Sequence, residues 1–353
     1  MKKITKILLG LVASLSITVS AIAGELNVTG SAVATYVIGG ANDAARKGIG
    51  ISNELAFGAA GEFDNGYTWT YKMALDPNTG GTIDNDDQSI IFGMGDMGTV
   101  GVFVSTGGLS TEYGFGIGAM GPGSDYAGVS AVTYGFDVSS YENLQYHTPA
   151  GILPMGVQLK VGYAPERVAA DSSDKKTDGS IVTNTSNGSN ATQYQLTASP
   201  VDGLKIGADY YQTSGSINAH QEEESGGYYA KYTLGNISVG YGKTLVAPGT
   251  ANTFAARFTG LSAVTIDTDN YGIQFDVNDS LSVSYSREQS TSENNGANDQ
   301  AANTSVESET DFLQAAYTIG GATMGLAIVD AEDSDYTASK EEKKTVFSIG
   351  MAF

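Results

Sequence analysis

A two-residue alternation recurring from end to end is the strongest constraint on what this chain can fold into. In "YTWTYKMAL", Tyr67, Trp69, Tyr71, Met73 and Leu75 share one face, opposed by Thr68, Thr70, Lys72 and Ala74. "LKIGADYY" sets Leu204, Ile206, Ala208 and Tyr210 against Lys205, Gly207, Asp209 and Tyr211. The closing nine residues, "TVFSIGMAF", place Thr345, Phe347, Ile349, Met351 and Phe353 on one side and Val346, Ser348, Gly350 and Ala352 on the other. Period 2 marks strands whose two faces meet different surroundings. The open question is whether the apolar face meets a protein core or lipid.

Sixteen strands are expected, at 25–38, 48–61, 65–76, 86–95, 98–106, 141–148, 153–164, 190–199, 203–213, 224–235, 236–244, 269–277, 279–289, 305–319, 321–330 and 343–353. The intervals between them alternate short and long. Turns such as "GDMG", "SPVDG" and "GN" alternate with stretches near 39–47, 77–85, 107–140, 165–189, 214–223, 245–268, 290–304 and 331–342. An even number of antiparallel strands, with tight turns at one rim and long loops at the other, is the pattern of a transmembrane β-barrel. Lipid offers a backbone N–H no partner, so a membrane sheet must close on itself. The faces opposite the apolar ones carry Ser, Thr, Gly, Gln, Lys and Asp, which suit a wide wet interior better than a protein core. The fold class is therefore all-β: an antiparallel transmembrane barrel with short periplasmic turns and long extracellular loops.

The N-terminus agrees. Lys2, Lys3 and Lys6 precede an apolar run from Ile7 to Val19 and then Ala21-Ile22-Ala23. This reads as a signal peptide, residues 1–23, removed after Ala23, leaving 24–353 as one barrel domain. Beyond it no stretch of 18 apolar residues exists, which excludes helical membrane spans. Without cysteine no disulfide staple forms. Removing the three N-terminal lysines leaves 15 basic residues against 39 acidic ones. Such an acidic balance argues against nucleic acid as a partner, since phosphates demand a basic face. His147 and His220 stand in separate regions with no Cys to complete a zinc site, and no nucleophile stands beside a base. No catalytic residues, cofactor or metal are expected. The acid runs at Asp84–Asp87 and Asp330–Asp335 lack the spacing of a calcium loop and read as solvated outer loops.

"IIFGMGDMGTVGVF", from Ile90 to Phe103, resembles a hairpin of the general diffusion porins of Gram-negative outer membranes, the sixteen-stranded trimeric kind. "NLQYHTP" followed by "VQLKVGYAPE" resembles the hairpin after that family's constriction loop. The terminal Phe353 resembles the C-terminal signal read by the outer-membrane assembly machinery. The likeness covers the whole chain after the signal peptide. It implies residence in the cell outer membrane among its lipids, a homotrimer, and a third long loop folded into the barrel. Residues 107–140 occupy that place, and Phe115, Ile117, Met120 and Tyr126 are too apolar for a loop left in water.

In that family, loop acids face basic wall residues. The loop candidates here are Glu112, Asp125 and Asp137; Lys72 resembles one of the family's basic wall positions, and Lys160, Lys205 and Lys231 point inward by parity. Glu54, Asp209 and Asp276 are inward acids that offset them. An arginine cluster on the early strands is missing, with Arg46 in the first loop. The function expected is a water-filled channel for passive diffusion of small hydrophilic solutes and ions, weakly cation-preferring because of its acidity. The alternatives are a substrate-specific channel, or a structural or adhesive surface barrel.

Overall fold

The computed structural model describes residues 26–40, 47–77, 83–111, 116–120, 135–149, 151–167, 190–214, 219–248, 250–251, 263–294 and 305–353. The proposed signal peptide lies outside them. Among the described residues there are eighteen strands: β1 Asn27–Gly39, β2 Lys47–Glu62, β3 Thr68–Pro77, β4 Ile83–Gly93, β5 Thr99–Val104, β6 Asn143–His147, β7 Gln158–Ala164, β8 Asn190–Ala198, β9 Leu204–Ser214, β10 Ala219–Gln221, β11 Glu224–Leu234, β12 Ile237–Ala247, β13 Thr250–Ala251, β14 Ala263–Asp276, β15 Leu281–Asn294, β16 Ser305–Ile319, β17 Ala322–Glu332 and β18 Glu342–Ala352. Sixteen of them close one antiparallel barrel, each paired with its neighbour in the chain, and β1 pairs with β18 to complete the ring. The other two, β10 and β13, pair with each other as a separate sheet.

All sixteen expected strands exist, with three informative shifts at their ends. The run expected from 153 starts as a strand only at Gln158, because Pro154–Gly156 forms a 3₁₀ turn and proline has no N–H for a ladder. β14 and β15 extend well past the expected 269–277 and 279–289, to Ala263 and Asn294. Their outer ends are rich in Asp and Glu, residues depleted in strands, yet they pair in register from Thr265–Glu293 inward, with one irregularity between Ala263 and Thr265.

The apolar face meets the outside. Ile206, Tyr210, Ile273, Tyr285, Leu313, Phe347 and Ile349 are exposed on the outer surface, while their inward neighbours Tyr211, Ser284, Phe312, Val346 and Ser348 are buried. A wall with Tyr, Leu and Ile turned outward fits lipid rather than water. Outward tyrosines pair across neighbouring strands, Tyr194 with Tyr210 and Tyr241 with Tyr271, in keeping with aromatic residues at a membrane interface. Among the described residues no helix is long and apolar enough to cross a membrane.

The terminal phenylalanine finishes the closure. Phe353 N–H donates to Gly30 O at 2.9 Å and Gly30 N–H donates to Phe353 O at 2.7 Å. A Cβ on Gly30 would stand 2.6 Å from the Phe353 ring, so the first strand leaves a seat for the last side chain. At the short-turn rim Gly203 has φ +79°, and a Cβ there would lie 2.3 Å from Thr233 O. Only glycine fits a turn packed that closely.

Candidate pore constriction

Between β5 and β6, the described residues 105–111, 116–120 and 135–142 turn inward and lie along the inner wall. It starts beside β6, where Gln145 Nε2 donates to Gly107 O at 2.5 Å, and β8, where Gln195 Nε2 donates to Leu109 O at 2.9 Å. Thr111 N–H then donates to Asp209 on β9 at 2.9 Å. Further round, Lys231 Nζ on β11 donates to Gly116 O at 2.6 Å. Ala119 N–H reaches Ser284 Oγ on β15 at 2.7 Å, and Met120 N–H reaches Gln314 Oε1 on β16 at 3.0 Å. The returning limb is held by Ser225, which accepts from Phe136 N–H at 2.9 Å, and by Gln193, which accepts from Val138 N–H at 3.0 Å. A buried loop must have its backbone polar groups satisfied, and here wall side chains supply the partners.

Apolar contacts run beside the polar ones. Met120 and Ala119 pack with Phe312, Ala316, Ala327, Val329, Ala331 and Val346. Leu109 and Val138 pack with Tyr141, Ala164, Ala191 and Tyr211, and Ile117 packs on Tyr229. Inward glycines make the depth for this. A Cβ on Gly272 would stand 2.4 Å from Ile117, and one on Gly325 2.5 Å from Met120. The barrel therefore carries a partial hydrophobic core inside its lumen.

The sequence-derived site residues separate into three groups. Glu112 and Asp125, with Phe115 and Tyr126, lie outside the described residues. Asp137, Asp209 and Lys231 hold the loop. Asp137 Oδ2 accepts from Leu109 N–H at 2.7 Å and Ser110 N–H at 2.5 Å, and its Oδ1 accepts from Ser139 N–H at 2.8 Å, which ties the two limbs together at their base. Burial pushes its carboxyl above the ordinary carboxylate range, opposed by these hydrogen bonds. Asp209 also accepts from Gln193 Nε2 at 3.1 Å. The remaining group lines the wall away from those tethers. Lys72 and Glu54 face each other at 3.9 Å with side chains 43% and 41% exposed. Asp276 accepts from Gln274 Nε2 at 3.1 Å and Ser282 Oγ at 2.5 Å at the short-turn rim. Lys160 and Lys205 have no carboxylate partner among the described residues.

Two features escaped the sequence reading. Arg167 and Glu223 form a largely buried ion pair, with Arg167 5.7 Å from the centre of the Tyr141 ring. They stand 56 residues apart, which no local pattern marks. The acid run at Asp330–Asp335 is not simply a solvated loop either. Ser334 and Tyr336 are buried, and Tyr336 packs with Val246 and Ile266 while its hydroxyl lies 2.7 Å from Ser290 Oγ. A tyrosine inside an acidic stretch is the only signal that foretold it.

No protein-family model matches the sequence, and no curated protein matches it. Solved structures do match. The OmpF of Salmonella typhi, in complex with daunomycin, is similar at 13% identity and a TM-score of 0.65, over 94% of this chain and 98% of that one. The fold is that of the outer-membrane porins. An anion-selective porin from Comamonas acidovorans matches at 12% identity and a TM-score of 0.62, over 94% of this chain and all of the other. The in-vitro folded trimer form of OmpT, an outer membrane protein of Vibrio cholerae, matches at 11% and 0.62, with the same coverage.

Proposed function

We propose that this protein is an outer-membrane porin, a water-filled channel through which small hydrophilic solutes and ions pass down their gradients without a chemical step. The observation that carries the reading is the inner loop: a closed barrel with an apolar outside holds a chain segment on the lumen face of strands from β6 round to β16. Such a segment narrows an aqueous passage without filling it, and selectivity then follows width and fixed charge. The 107–140 stretch is the constriction, and Lys72 with Glu54 lines its open side. The acidic excess of the chain gives the channel a weak cation preference.

The same reading assigns export through a signal peptide cleaved after Ala23, insertion by assembly machinery that reads the last strand with Phe353, and a homotrimer. The trimer form of a similar fold supports the last of these. The test is single-channel recording of the folded protein in a planar bilayer under a KCl gradient. Stable steps in groups of three with a cation-side reversal potential are expected. A heat-modifiable barrel that never conducts would overturn the channel reading.

A further inference from the structure

Among the described residues, one sector of the lumen holds lysines with no carboxylate partner. Apart from Lys47 at the start of β2, every described Lys or Arg outside this sector has a carboxylate partner. The exceptions are Lys160 on β7, Lys205 on β9 and Lys231 on β11, strands that lie together in the order β7-β8-β9-β11. Lys205 and Lys231 stand directly opposite each other in the register. Lys160 is the register partner of His147 on β6. All three lysines are close to the short-turn ends of their strands and face the lumen. Asp209, the inward acid nearest in sequence to Lys205, is taken up by Thr111 N–H and Gln193. Lys231 reaches the loop through a neutral carbonyl, so its charge is not cancelled.

In a chain with 39 acidic residues against 18 basic ones, a facing lysine pair with a third lysine two strands away on β7, none with a carboxylate partner among the described residues, is a local departure from the overall balance. Like charges side by side repel, and an anion relieves the cost. Lysine ammonium groups are compact point charges with three donors each, suited to oxyanions. We propose that Lys160, Lys205 and Lys231 form a subsite for multivalent oxyanions, phosphorylated or polycarboxylate solutes, on the short-turn side of the constriction. This deepens the channel reading and rests on it. Cations are favoured by the acidic chain as a whole, and anions that pass are held at this strip. The weakness of the cation preference then has a structural cause.

The test uses the full-length folded protein and two probes, inorganic tripolyphosphate and citrate, which separate phosphate from carboxylate recognition. Added to the chamber facing the short turns, either probe blocks KCl current at lower concentration than from the opposite side. The K160Q/K205Q variant leaves the Lys231 tether in place. It weakens block by about tenfold or more and moves the reversal potential further to the cation side. D330N/K343Q, at an exposed ion pair on the outer face of β17 and β18, leaves block unchanged. A channel that conducts but shows equal block in wild type and K160Q/K205Q overturns the subsite and leaves the channel reading intact. Calorimetric titration of tripolyphosphate into the detergent-folded protein tests the strip apart from conduction: heat lost in K160Q/K205Q supports it, and no binding to wild type overturns it.

Discussion

The inner wall of β2 and β3 and the inner wall of β14 to β17 are made by the same alternating pattern, yet they are different materials. On β2 and β3 the inward side chains include the open Lys72–Glu54 pair. On β14 to β17 they include Ile266, Phe312, Ala327, Val329 and Ala331, all almost fully buried. The difference comes from what lies on them. Loop residues Ala119 and Met120 and the Ser334–Tyr336 turn cover the second sector, whereas no described loop residue hydrogen-bonds to Lys72 or Glu54. A barrel interior is thus open where it faces water, and where it faces its own chain it mixes buried apolar side chains with polar anchors such as Ser284 and Gln314; parity alone does not tell the two apart.

The sharpest way to break this comparison is to truncate one inward side chain under the loop and one on β1, beside β2. Phe312→Ala opens a cavity under Met120 and costs about 3–5 kcal/mol, whereas Val33→Ala on β1 costs about 1 kcal/mol or less. Urea midpoints of the folded barrel should separate the two; equal losses would show that the loop adds no core. Next in size, Gly272→Val drives a side chain into Ile117 at a cost of about 1–3 kcal/mol. Its readout is conductance: the loop is displaced and the current distribution broadens, and an unchanged trace would mean the contact is loose. Asp209→Ala leaves the Thr111 amide without its acceptor, a loss of about 1–3 kcal/mol. Hydrogen exchange at Thr111 should then speed up by about tenfold to a hundredfold, with β2 amides unaffected. The smallest effect belongs to the open sector, where Lys72→Gln changes stability by about 0–1 kcal/mol. A large fall in its melting temperature would mean the pair is more enclosed than its geometry indicates.

The strand plan was legible because the outer face obeys a single rule. Lipid accepts only apolar side chains over the membrane's thickness, so Tyr, Ile, Leu and Phe recur every second residue and cannot be disguised. The candidate site was legible only in part. Lys160, Lys205, Lys231, Asp209 and Asp276 face inward as parity requires, but Asp209 and Asp137 turned out to be tethers for backbone N–H groups. A carboxylate that binds solute and one that binds a loop amide look alike in sequence, because the acceptor atoms are the same and the partner is up to 98 residues away.

By itself, then, the sequence determined the number of barrel strands, their order, which rim has the long loops and which face meets lipid, since each follows from local alternation and turn chemistry; the small β10–β13 sheet in two long loops was not foreseen. The tertiary structure alone decided which inward residues stay wet. Gln193, Ser225, Ser284 and Gln314 became loop anchors, Gly272 and Gly325 became seats for Ile117 and Met120, and three lysines have no carboxylate partner among the described residues. The physical reason is that these outcomes depend on one chain segment crossing a wide interior to strands far away in sequence. No period along the chain encodes where it lands.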